Sequence, residues 1–115
     1  ACSDEATALT AGTNKVKCIN PYSTAFNVLA VVASLSTGQT GGSIFTVDIN
    51  EAGVSILSTK LTIDNGETNS STAATAAVIS DASIAAYAEI SVDIDQIGDG
   101  TAKGLKVYLI GYPTP

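Results

Sequence analysis

The densest acidic cluster in the sequence is Asp93, Asp95 and Asp99. In the run Glu89-Ile90-Ser91-Val92-Asp93-Ile94-Asp95 the strict period of two puts Asp93 and Asp95 on one face of a strand, where like charges repel. A hard cation such as Ca²⁺ held with Asp99 would relieve that repulsion. A solvated strand face running into the Gly98-Asp99-Gly100 turn relieves it equally well. The spacing does not match an EF-hand loop, which takes oxygen ligands at alternate positions and a Glu at its end. Carboxylate pairs of the glycosidase kind can be drawn among Glu89, Asp93 and Asp95, but they work in an aromatic-lined cleft. The chain has 4 Tyr, 2 Phe and no Trp with which to build one. The expectation is therefore no resident metal and no cofactor, with Asp93, Asp95 and Asp99 as a weak metal candidate.

Cys2 and Cys18 are the 2 cysteines. A bridge between them would close a loop of about 15 residues and add roughly 3 kcal/mol in the loop-entropy description. It would also place the chain in an oxidising, extracellular setting. The alternative is a small core residue at Cys18, on the inward face of its strand with Val16, and a partly exposed thiol at Cys2. Sequence spacing does not decide between them. There are 0 His residues, so neither cysteine has the usual group to take its proton, and two sulfurs alone make a poor zinc site. Catalysis is not expected.

Tyr22, Tyr108 and Tyr112 are the side chains best suited to a binding surface, being rigid and amphipathic. Tyr108 alternates with Val107 and is expected to face outward, while Tyr22 and Tyr112 sit near strand ends. Asn69-Ser70-Ser71 has the form of a glycosylation sequon, a triplet expected by chance in a chain so rich in Ser and Thr.

These residues are positioned by β-structure. Lys15 to Ile19 alternates and reads as a half-buried strand broken at Asn20-Pro21-Tyr22. The near-continuous apolar run Val28-Leu29-Ala30-Val31-Val32-Ala33 predicts a central strand covered on both faces. Ile44 to Ile49 places Phe45, Val47 and Ile49 inward with Thr46 and Asp48 outward. Asn50-Glu51-Ala52-Gly53 turns into a second hairpin arm, and Leu61 and Ile63 face inward before the Asp64-Asn65-Gly66 turn. Residues 67–77 show no usable period, and Ser80 is a candidate cap for one helical turn. The last third alternates again over 89–95 and 105–109. About seven to eight short antiparallel strands with regular turn signals predict a single all-β domain over 1–115, a β-sandwich or jelly-roll-like fold.

Composition narrows the function classes. Lys+Arg number 5 against 11 for Asp+Glu, a net charge of -6, and the basic residues are scattered lysines. Binding to a nucleic-acid backbone needs a concentrated cationic face, and none is present. An anionic membrane surface is disfavoured on the same ground, and no apolar run approaches the ~20 residues of a membrane span. No charged-then-apolar leader precedes Ala1, which suggests that one was removed or that the chain is part of something longer.

Several segments resemble a family of phage-encoded virion proteins, namely C-terminal modules of fibre-like structural proteins. They are residues 1–10 (Ala1-Cys2-Ser3-Asp4-Glu5-Ala6-Thr7-Ala8-Leu9-Thr10), Pro21-Tyr22, Thr46 to Glu51, Ser55 to Asp64, Val78-Ile79-Ser80-Asp81, Ile94 to Gly98, and Gly104-Leu105-Lys106-Val107. They are distributed over nearly the whole chain and include no catalytic motif. The resemblance implies a non-enzymatic β-sandwich on the virion surface, and so extracellular, at the end of a head or tail fibre or spike, or as a capsid decoration. It further implies partnership with other virion proteins, a homo-oligomer (a trimer), and attachment to host glycans. Val28 to Ala33 or Ala73 to Ala77 would form the subunit contacts. Similar sequences carry an aromatic residue where Cys18 stands, which implies that Cys18 faces the core and that pairing with Cys2 would be peculiar to this chain. The competing reading is a secreted, self-assembling pilus or adhesin subunit of a bacterial cell.

Overall fold

Phe45, Val47 and Ile49 are all fully buried. They lie on β3 (Phe45–Glu51), the strand around which the larger sheet is built. The structure is a computed structural model that describes residues 9–114, and at Asn14 and Val16 the backbone only. The other strands are β1 (Gly12–Ile19), β2 (Phe26–Ser34), β4 (Val54–Ser55), β5 (Leu57–Thr59), β6 (Leu61–Ile63), β7 (Val78–Ile79), β8 (Ser83–Ile84), β9 (Glu89–Gln96) and β10 (Lys106–Pro113). Every named pairing is antiparallel. The fold is all-β, as the alternation predicted. The described residues form more strands than the seven or eight expected, because hairpin arms that read as continuous are broken into short pieces.

The larger sheet runs β1-β9-β3-β4, with β6 also on β3. Asn50 and Glu51 pair with β4, while Phe45, Thr46 and Val47 pair with β6. Both short strands thus cover the same edge of β3, and between them the chain departs as β5 to pair with β7. The departure follows Ile56, whose side chain is fully buried and whose N–H donates to Ile49 O at 2.9 Å. Ala52 and Gly53, with φ of 50° and 85°, form the two-residue turn from β3 to β4, the left-handed pair that matches strand twist.

The second sheet is β10-β2-β8. It packs Val28, Ala33, Val31, Val107 and Leu109 towards the core formed by Phe45, Val47, Ile49, Leu61, Ile63, Val92 and Ile94 of the larger sheet. The result is consistent with a β-sandwich. Burial of these β-branched and aromatic faces is the main driving term, at about 25 cal/mol per Å² of apolar surface.

Four sequence expectations change. The run Val28 to Ala33 is not covered on both faces: Leu29 is 62% exposed. It is the extra residue of a bulge, since Ile110 pairs with Ala30 and Gly111 with Val28. Asp48 is buried, not outward in solvent, because β9 on one side and the β4 segment on the other close over it. Ser80 caps no helical turn; its hydroxyl donates to Ile56 O at 3.1 Å and the chain continues into β8. Cys18 does lie on the inward face, opposite the buried Ile90, but it is exposed and no core residue, because β1 is the outermost strand of its sheet.

Candidate functional site

The outward face of β10 is the most distinctive surface feature. Alternation along Val107-Tyr108-Leu109-Ile110 sends Val107 and Leu109 to the core. It sends Tyr108, Ile110 and Tyr112 to solvent at 48%, 50% and 50% exposure. On β2, Val32 lies opposite Tyr108, Ala30 opposite Ile110 and Asn27 opposite Tyr112, with the bulged Leu29 beside them. The face carries no charge from residue 107 to residue 113. A contiguous apolar patch of this kind marks a contact surface.

Sequence reading found Tyr108 and Tyr112 but missed Ile110 and Leu29. The signal for Ile110 was available, since it sits two residues from Tyr108 and shares its face. Nothing in the sequence announces the bulge that turns Leu29 out. Tyr22 belongs to a separate place: its ring stacks on Phe26, with centroids 6.1 Å apart and 11° between planes. The two rings border an apolar groove of about 180 Å³ that Cys18, Ile90 and Leu109 also line. Partial burial pushes the Cys18 thiol up from its ordinary pKa, so it is a protonated, weak nucleophile at neutral pH. Cys2 lies outside the described residues.

The acidic residues are arranged differently from the sequence expectation. Asp93 stands opposite Asp48 across the β3–β9 ladder. Its carboxylate accepts from Asn50 Nδ2 at 2.9 Å. Asp95 pairs with the ammonium of Lys60. Asp99 is elsewhere, accepting from the hydroxyls of Thr101 and Thr40 in the loop before β10. Those bonds, Thr101 first, hold its carboxyl below the usual range. Asp48 accepts from Ser55 Oγ at 2.5 Å and from Ile49 N–H at 2.9 Å. Among the described residues no group of three or more acidic or sulfur ligands could hold a metal ion. Lys60 takes the place proposed for a cation. Its pKa is raised by its hydrogen bond to Asp95 and further by the charges of Asp95, Asp48 and Asp93.

Two polar hubs were missed altogether. Asn20, buried, donates to Thr24 O, Ile84 O and Ala85 O and accepts from Tyr22 N–H. Gln39, also buried, accepts from Gly98 N–H and donates to Ser43 O and Asn65 Oδ1. Both tie loops distant in sequence. Asn69 of the sequon-like triplet accepts from Ser71 N–H at the start of the 3-10 turn Ser70–Thr72. Set against known protein families, characterised proteins and solved structures, the chain matches none.

Proposed function

We propose that the chain is a non-enzymatic surface module of a phage particle, a fibre, spike or capsid-decoration domain that makes its contacts through the outward face of β10. The observation that carries the contact surface is the uncharged patch of Tyr108, Ile110, Tyr112 and Leu29 on an otherwise acidic molecule. The virion setting rests on the resemblance of the segments quoted above. Partners are other virion proteins, further copies of the chain, and host glycans that stack on the exposed tyrosines. Val28 and Ala33 are used up in the chain's own core, so contacts between subunits pass to β10 and Leu29 or to Ala73 to Ala77, where Ala74, Thr75 and Ala76 are exposed.

The test has two arms. The chain is expected among the polypeptides of purified particles, and finding it instead on uninfected cells would transfer the reading to a bacterial surface subunit. The double substitution Tyr108→Ala/Tyr112→Ala is expected to leave the melting temperature within a few degrees of the parent, since both rings are half-exposed. It should cut retention on the particle or on a glycan array at least tenfold. Unchanged retention would remove the face from the function.

A further inference from the structure

We propose that the apolar groove beside Cys18 is the seat of this chain's own residues 1–8, fastened there by a disulfide between Cys2 and Cys18. The groove lies at one flank of the sandwich. Among the described residues β1 ends the larger sheet and β10 ends the smaller one, and both border the groove, β1 through Cys18 and Ile19 and β10 through Leu109. Cys18 stands opposite the buried Ile90 on the inward face, yet its thiol is free and exposed. A side chain that points between two sheets and still meets solvent stands where a further piece of chain fits. Ile19 and Tyr22, which also line the groove, are 55% and 45% exposed, and the same piece of chain would withdraw their apolar surface from water.

The length of chain before Leu9 matches that seat. Leu9 is buried, and its N–H donates to Ala102 O at 2.9 Å, shortly before β10 begins. The chain is thus pinned at the foot of the same flank. From there it returns to the groove along β1, and its advance can be read from the register. Between Gly12 and Val16 the ladder is irregular, so that Gly12 stands opposite Ile94 and Val16 already opposite Val92, while Cys18 reaches Ile90. Gly12 to Cys18 therefore advances only as far as Ile94 to Ile90. With the three steps from Leu9 to Gly12, Leu9 and Cys18 are at most about seven strand steps apart, roughly 23 Å. Cys2 stands seven residues before Leu9, which is the same reach. A segment leaving Leu9 along the flank brings Cys2 level with Cys18, where their Cα atoms can approach to the roughly 5.5 Å of a disulfide.

Three further observations select this segment over an outside partner. The first is the field at the thiol. Partial burial raises the Cys18 pKa, and the charge of the chain's own amino terminus acts against it. A charge is felt at an exposed group only within a screening distance of about 10 Å, so the amino terminus belongs near Cys18. The second is at the foot of the flank, where Leu105 and Lys106 have partners beyond the pairing of β10 with β2, in agreement with chain running past the start of β10. The third is charge complementarity. The segment carries Asp4 and Glu5, and the two strands that border the groove carry Lys15, Lys17 and Lys106. The bond itself forms by exchange with an oxidant disulfide, such as oxidised glutathione or a protein disulfide oxidase. One cysteine thiolate attacks the oxidant and displaces a thiolate, and the other cysteine displaces the second. Two protons leave the protein and two electrons end on the oxidant, which departs as two thiols. None of this requires the virion setting, which is tested on particles.

The experiment equilibrates the full chain with a mixture of oxidised and reduced glutathione and compares it with the chain in excess reductant. The expected product is a single chain about 2 Da lighter than the reduced one, with no thiol open to alkylation after denaturation and a digest fragment joining Cys2 to Cys18. It should melt roughly 10 °C above the reduced protein. Cys2→Ser and Cys18→Ser should each melt with the reduced parent and ignore the reductant. The seat is read separately, with no disulfide present: a nitroxide on Cys2 in the Cys18→Ser variant should broaden the NMR signals of Ile19, Tyr22 and Leu109 and spare Val78 on β7. Two free thiols at equilibrium with the oxidised buffer, glutathione on both cysteines, or a disulfide between two chains would overturn the Cys2–Cys18 bond. Unbroadened signals at Ile19 and Tyr22 would overturn the seat.

Discussion

Asp48 on β3 and Asp93 on β9 stand directly opposite each other in the ladder, and the ammonium that offsets their charge is Lys60, paired to Asp95 on the same face. Two like charges across a strand pair are unfavourable, so the arrangement depends on Ser55, Asn50 and Lys60 for its polar partners.

Removing that ammonium should therefore be felt. Lys60→Gln is expected to lower stability by about 0.5 kcal/mol, the scale of an exposed ion pair, and chemical denaturation with and without 1 M salt would measure it. The raised pKa of Lys60 is a stabilisation present below the unfolded lysine value and lost as pH rises through the higher folded value. The parent should accordingly lose this increment only in strongly alkaline solution, and the variant should show no such step.

Asp99 gives the opposite sign. Hydrogen bonds from Thr101 and then Thr40 hold its carboxyl below the usual range. Its contribution is present above the unfolded aspartate value and disappears as pH falls through the lower folded one. NMR titration of the Asp99 side chain should show a midpoint below the ordinary aspartate value, and Thr101→Val should move it back up.

Gln39 and Gly98 should be equally intolerant of change for one shared reason. Gly98 N–H donates to Gln39 Oε1 at 2.5 Å, and a Cβ on Gly98 would lie 2.3 Å from Gly41 O and 2.5 Å from Gln39 Nε2. Gln39→Ala leaves the partly buried Gly98 N–H and the Ser43 carbonyl without their partner, at about 1 kcal/mol. Gly98→Ala should cost at least as much, and thermal melts of the two single variants and the double would show strongly non-additive losses.

Gly111 is a steric requirement of the β10–β2 ladder, since an added Cβ would approach Asn27 O to 1.9 Å. Gly111→Ala is expected to cost about 2 kcal/mol or more. Its amide-exchange signature should be loss of protection at Tyr112 and Thr114, with the β3–β9 ladder unaffected.

Much of the fold was legible in the chain. Phe45, Val47 and Ile49 alternate with polar neighbours, as do Ile90, Val92 and Ile94, and burial of a period-two face leaves each strand only one way to sit. Turn positions were legible through Gly53 and Gly66, whose φ values of 85° and 82° need no Cβ. Tyr108 was legible as outward for the same periodic reason, whereas Tyr112 stood out only as a tyrosine near a strand end. What alternation does not encode is the partner across the ladder. Lys60 reaches Asp95, Asn50 reaches Asp93, and Gln39 joins three loops only because distant segments are brought together. The Leu29 bulge, the excursion of β5 and the exposure of Cys18 on an end strand are likewise properties of sheet order. Local pattern determined which residues face in. The order in which strands meet decided which outward residues share a surface, because that order is set by long-range burial and backbone pairing that no single segment contains.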